Sequence, residues 1–161
     1  MRPLDDLDLA ILAELEGNAR ITASELARRL GSPNSTIRDR IQRLEDDGVI
    51  RAYTVIIDPE KLGLGIKAVV QVTREHSVSL ETLISEAAKL PEITSIQLLT
   101  GDTDELITIY ARDVDHLKDV MYNKFGSLPG LIRMSTAIVL DERSFPLTSR
   151  FESDEKISLR S

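Results

Sequence analysis

Five arginines, Arg28, Arg29, Arg38, Arg40 and Arg43, fall in a stretch holding a single acid, Asp39. Clustered guanidinium groups suit phosphate oxygens, and a helix that presents them in a major groove can also reach guanine edges. Asn34, Ser35, Thr36 and Gln42 lie among them, with short amides and hydroxyls that fit base edges. Asp39 can accept from a cytosine amine or hold a neighbouring arginine. Arg28 and Arg29 are expected to grip the DNA backbone, and Arg51 to add a phosphate contact from the segment that follows. A second set is Gly101, Asp102, Thr103 and Asp104. There Asp102 or Asp104 can hold an ammonium group, and Gly101 lets a carboxylate approach backbone amides. Ser135 and Thr136 offer hydroxyls to the same ligand across an interface.

Other chemistry is poorly supplied. The chain has no Cys and only two histidines, His76 and His116, which excludes thiolate chemistry and a multi-histidine zinc site within one chain. The pairs Asp102/Asp104 and Asp113/Asp115 have the spacing of ordinary turns and helix starts, with no activated nucleophile beside them. We therefore expect no catalytic residue, no metal site, no cofactor and no enzymatic activity. Tyr110, Tyr122, Phe125 and Met121 occupy apolar positions and are expected in a core or an interface. Each polar set also has an ordinary explanation, a solvated helix face for the first and a hairpin turn for the second.

The chain carries 20 basic and 27 acidic side chains over 161 residues, a net charge of -7. That balance argues against nucleic acid until the charges are located. The basic stripe is a local excess inside an acidic body, and binding depends on the patch presented. No apolar run approaches a membrane span, and the start MRPLDDLDLA lacks an apolar signal core, so a cytoplasmic protein is expected.

Three helices must position the stripe. Leu4, Leu7, Ile11, Leu12 and Leu15 recur at helical spacing, Leu26, Ala27 and Leu30 give a short second helix, and Gly31 ends it. Ser32-Pro33 predicts the cap and first turn of a third helix, whose inward side is Ile37, Ile41 and Leu44. Opposite these lie Ser35, Asp39, Gln42 and Arg43, with Asn34 and Arg38 near one edge and Thr36 and Arg40 near the other. Residues 49–58 are β-branched and predict a strand. Beyond Pro59 the pattern is strand, helix, strand, strand, helix, strand, with a second helix expected over 114–126. This is the ferredoxin-like order. The expected fold is α+β, with a helix-turn-helix domain at 1–60, a ferredoxin-like domain at 61–148 and a charged tail at 149–161. One sheet face is left open, and a second copy of the chain is its natural cover.

Residues 4–63 resemble the winged helix-turn-helix of the Lrp/AsnC, or leucine-responsive, family of transcription regulators. The resemblance rests on the order and spacing of Asp5 and Asp8 ahead of Ile11-Leu12, Asn18-Ala19-Arg20, Glu25-Leu26-Ala27, Arg40-Ile41, Arg43-Leu44-Glu45, Gly48-Val49-Ile50 and Ile57-Asp58-Pro59. The second half is similar to the family's effector domain, with Gly101 and Asp104 at a strand-strand turn and Pro129-Gly130 before the last strand. The tail after Pro146 matches no element of the family. The resemblance implies a regulator that binds double-stranded DNA as a homodimer, assembles to tetramers or octamers, and takes an amino-acid effector where dimers meet, near Gly101 and Asp104. The competing readings are a small-molecule-binding protein or enzyme with a helical protein-docking domain, and a structural scaffold.

Overall fold

The computed structural model describes residues 2–75 and 77–148, so His76 and the tail at 149–161 lie outside the described residues. The chain forms two compact units, Met1–Ile56 together with the segment from Arg143 onward, and Ile57–Glu142. Among the described residues no helix is long and apolar enough to cross a membrane.

The first unit contains α1 (Asp6–Gly17), α2 (Ala23–Leu30) and α3 (Asn34–Asp46). α1 starts in a reciprocal capping box. The Asp5 carboxylate accepts from Asp8 N at 3.0 Å, and the Asp8 carboxylate accepts from Asp5 N at 3.1 Å. Thr22 caps α2 by accepting from Glu25 N. Gly31, at φ 62, ends α2 in the left-handed region that a side chain disfavours, and so sets the tight turn into α3. Ile11, Leu15, Leu26, Ile37 and Leu44 form the core. Each such side chain contributes about 2 kcal/mol on leaving water.

Two expectations are corrected here. Ser32 does not cap α3: Pro33 occupies the cap position without a side-chain hydrogen bond, and the helix opens at Asn34. Residues 49–58 contain no strand. A strand needs a partner for its backbone groups, and no segment among the described residues supplies one. Val55, Ile56 and Ile57 are instead exposed, Ile56 completely. Ile41 is half-buried and packs at the margin of the core.

A partly buried polar cluster in this unit centres on Arg40. Its guanidinium donates to Asp5 and, at 2.9 Å, to Asp8, which is 2% exposed and also bound by Arg2 at 2.8 Å. α3 is thereby tied to the cap of α1.

The second unit is a four-stranded antiparallel sheet, β1 (Ile66–Arg74), β2 (Ile93–Leu98), β3 (Glu105–Ala111) and β4 (Leu131–Ile138), in the order β2-β3-β1-β4. α4 (Leu80–Ala87) and α5 (Val114–Asp119) cover one face. The register pairs Val70 with Ile107 and Ala68 with Ile109, and these meet Leu83, Ala87, Leu117, Val120 and Phe125 in one core. This is the ferredoxin-like arrangement expected. The helix expected over 114–126 is broken: after Asp119 it widens into a π turn, Val120–Lys124, then tightens into a 3-10 turn, Phe125–Ser127. Both turns bury their apolar members, Val120, Met121 and Phe125, while Tyr122 is 76% exposed and so outside the core.

Replacing Arg40 by Ala should lower the stability of the helical unit by about 2–3 kcal/mol, because buried Asp8 then keeps only Arg2 and the Asp5 N–H, both on one of its two oxygens. The Arg40 guanidinium holds the Asp5 carboxyl well below the usual carboxylate range. A carboxyl depressed in the folded state contributes fully above its unfolded pKa and loses that contribution as pH falls toward the folded one. The gap between the parent and Arg40→Ala in far-UV melts should therefore narrow below about pH 4. A gap that stays constant down to about pH 2 would overturn this role.

Candidate functional site

α3 presents its outer side because Ile37 and Leu44 are locked inward and Arg40 is drawn to α1. Ser35, Arg38, Asp39 and Gln42 are exposed, and Thr36 and Arg43 are half-buried at the rim. Arg38 and Arg43 make no ion pair among the described residues. Gln42 donates to Asp46 at 3.0 Å one turn on, and Asn34 donates to Ser24 at 2.7 Å, linking the start of α3 to α2. Of the five arginines in the stripe, Arg40 is therefore a structural tie rather than an edge contact.

Arg28 and Arg29 are already engaged. Arg28 holds both oxygens of Glu25, at 3.0 and 2.6 Å, and Arg29 reaches Glu25 at 3.0 Å and Glu14 at 2.7 Å. Their guanidinium groups pull the Glu25 carboxyl down to about 2. These pairs are solvent-exposed, so exchanging a carboxylate for a phosphate costs little. Arg51 is exposed, with no ion pair among the described residues. Beside it, Tyr53 donates to Glu45 at 2.7 Å, and partial burial together with that carboxylate pushes its hydroxyl up to about 12.

In the sheet unit, Gly101 sits at φ 129, a conformation that glycine adopts freely, at the turn between β2 and β3. Asp102, Thr103 and Ser135 line a shallow cavity of about 120 Å³ with Gln71, Thr73 and Arg133. The last three were missed in the sequence. Gln71 pairs with Ser135 and Thr73 with Arg133 across β1 and β4, a register between segments some sixty residues apart. Alternation on β4 was the available signal, since Arg133 and Ser135 must share a face.

The other expected ligand residues separate from this cavity. Thr136 pairs with Val70, on the opposite face from Ser135, because successive strand residues point to opposite sides. The Asp104 carboxylate accepts from Arg74 N at 2.9 Å, and its backbone bonds Val72 and Leu99. It secures the turn rather than lining the cavity.

His116 serves the scaffold. Its Nδ1 accepts from Arg112 N at 3.2 Å, which leaves Nε2 to donate to Glu92 Oε1 at 3.2 Å, where Lys124 also binds at 2.6 Å. Burial works to raise the Glu92 carboxyl, but Lys124 and His116 outweigh it, and the group lies below its ordinary value. Asp113 caps α5 by accepting from His116 N at 2.7 Å. Among the described residues no three His, Cys, Asp or Glu side chains are grouped to hold a metal ion.

Comparison with known proteins joins the two halves. A profile described as winged helix-turn-helix DNA-binding matches residues 4–51, and one described as the Lrp/AsnC ligand binding domain matches residues 67–145. The regulator LrpA of Pyrococcus horikoshii is 33% identical over 142 residues, covering 86% of this chain and 98% of its own. Among solved structures, a transcriptional regulator from Neisseria meningitidis in complex with L-methionine superposes with a TM-score of 0.83 at 29% identity, covering 91% and 96% of the two chains. Escherichia coli AsnC superposes with a TM-score of 0.80 at 26% identity, covering 89% and 97%. With a DNA-binding profile over its helices and a ligand-binding profile over its sheet, this chain belongs to the Lrp/AsnC family of helix-turn-helix transcription regulators, which are DNA-binding proteins and not enzymes.

Proposed function

We propose that α3 reads an operator in the major groove through Ser35, Arg38, Asp39, Gln42 and Arg43, with Asn34 and Thr36 at its leading end. The observation that carries this reading is that Arg38 and Arg43 lack ion-pair partners among the described residues, while the neighbouring arginines hold carboxylates. An unpaired guanidinium on an exposed helix face can meet guanine or phosphate with nothing to displace. Arg28, Arg29 and Arg51 bind the DNA backbone on either side. Such a protein works in the cytoplasm beside its operator.

The regulator acts as a homodimer, which presents two recognition helices to two half-sites, and assembles further into tetramers or octamers. The uncovered run Val55, Ile56 and Ile57 supplies apolar surface for that assembly. An amino acid is the effector. Arg133 and Asp102 line one cavity with opposite charges, matching the carboxylate and ammonium of a zwitterion, while Ser135, Gln71, Thr73 and Thr103 add polar contacts. An effector that prefers one assembly shifts the population competent to bind DNA.

Operator DNA selected from a genomic library provides the probe. Arg38→Ala should weaken binding by roughly tenfold or more and lower the salt slope by about one. Arg28→Ala should do less, because Glu25 already occupies that side chain. Equal affinity for the parent and both Arg38→Ala and Arg43→Ala would remove α3 from the interface. For the effector, calorimetry with the amino acid that most alters DNA binding should show a roughly tenfold loss on Arg133→Ala and on Asp102→Asn. Undiminished affinity in both would move the ligand elsewhere.

A further inference from the structure

The side chains around the sheet cavity constrain a ligand beyond its two charged ends. Gln71 and Thr73 of β1 stand beside Ser135 and Arg133 of β4, on the sheet face away from the helices. Asp102 and Thr103 reach the same hollow from the turn ahead of β3. That turn is fastened, because Asp104 N donates to the Val72 carbonyl at 2.9 Å and Leu99 N donates to the Asp104 carbonyl at 2.8 Å. Four liners thus sit on paired strands and two on a tied turn, which holds their spacing before any ligand arrives. None of the six is apolar. Their side chains make no hydrogen bond or ion pair with any described residue, although Asp102 and Arg133 carry opposite charges. Elsewhere in this unit comparable groups are committed: Lys67 holds Glu142, Arg74 holds Glu105 and Lys124 holds Glu92.

We propose that the effector is a short amino acid whose side chain is uncharged and hydrogen-bonding, of the serine, threonine or asparagine kind. This rests on the reading of the cavity as an amino-acid site, in which Arg133 takes the carboxylate and Asp102 the ammonium. Those two are the only charged liners, so with the zwitterion bound a charged side chain meets no counter-charge. Gln71, Thr73, Thr103 and Ser135 remain, one carboxamide and three hydroxyls, each able to donate and to accept. An apolar side chain laid on them removes them from water and returns no hydrogen bond, whereas a hydroxyl or carboxamide answers them. A site built to hydrogen-bond a ligand group discriminates against the isostere that lacks it. The volume of about 120 Å³, that of about four waters at about 30 Å³ each, keeps the side chain short.

Calorimetry on the full chain with amino acids matched in shape tests this. Serine, threonine and asparagine are compared with α-aminobutyrate, valine and leucine, and asparagine also with aspartate. The tightest polar ligand should bind roughly tenfold or more tightly than its apolar counterpart, because the pair differs chiefly in hydrogen-bonding groups. Asparagine should exceed aspartate by a similar factor, since aspartate adds an unpaired charge. The double change Gln71→Ala, Ser135→Ala should narrow the polar-to-apolar ratio, while Arg133→Ala should weaken every amino acid and leave the ratio in place. Both changed positions are exposed, so the fold is kept. An apolar member or aspartate binding as tightly as its uncharged polar counterpart, with affinity still lost on Arg133→Ala, would overturn this inference and leave the amino-acid site standing. A ratio unmoved by the double change would also overturn it. No binding by any of these amino acids at millimolar concentration, or affinity indifferent to both Arg133→Ala and Asp102→Asn, would remove the amino-acid site and this inference with it.

Discussion

The helical unit depends on one ion-paired cluster, Arg40 with Asp5 and Asp8. Asp8 is almost fully buried, and an unpaired carboxylate there would be strongly unfavourable. The same two acids form the capping box of α1, so a single guanidinium stabilises the helix start and fixes α3 against it. With Arg40 held, Ile37 and Leu44 inward, and 3.6 residues per turn, the outer side of α3 has little freedom in what it presents. Arg38 and Arg43 face outward as a geometric consequence of where Arg40 points.

The sheet unit uses an arginine in a comparable way. Arg74 bonds the buried Glu105 at 2.7 Å and the Val78 carbonyl at 3.0 Å, while its own N–H is taken by Asp104. One residue therefore gathers the end of β1, the loop leading to α4 and the turn carrying Gly101. The Glu105 carboxylate keeps one oxygen without a partner among the described residues, so this knot is held chiefly by the Arg74 contact. In both units a buried acid and a half-buried arginine set the local geometry, and the exposed polar groups inherit their positions from it.

Net charge was a poor guide because charges are consumed locally. Glu14 and Glu25 neutralise Arg28 and Arg29, and Asp5 and Asp8 neutralise Arg40. The stripe that reads as five arginines in sequence is, among the described residues, two on α3 without an ion pair and three that answer to carboxylates. Short-range pairing, rather than the sum of -7, determines the field near the helix.

The helices, the strand order and the turn at Gly101 were legible in the sequence because each is encoded by neighbours: apolar spacing, a capping residue, a glycine at a bend. Asp113 ahead of α5 and Gly31 after α2 belong to the same class. What lay beyond reach depends on residues far apart in the chain. Arg40 finds Asp5 across 35 positions, Arg133 and Ser135 meet Gln71 and Thr73 through strand register, and Thr148 finds Glu16 across 132. Residues 49–58 failed as a strand for the complementary reason, since β propensity is local but a hydrogen-bonding partner is not. The sequence by itself determined most of the helices and strands and what chemistry their residues carry. Tertiary structure alone decided which charges are paired and which stay open, because pairing requires two groups to be close in space, and chain order does not specify that.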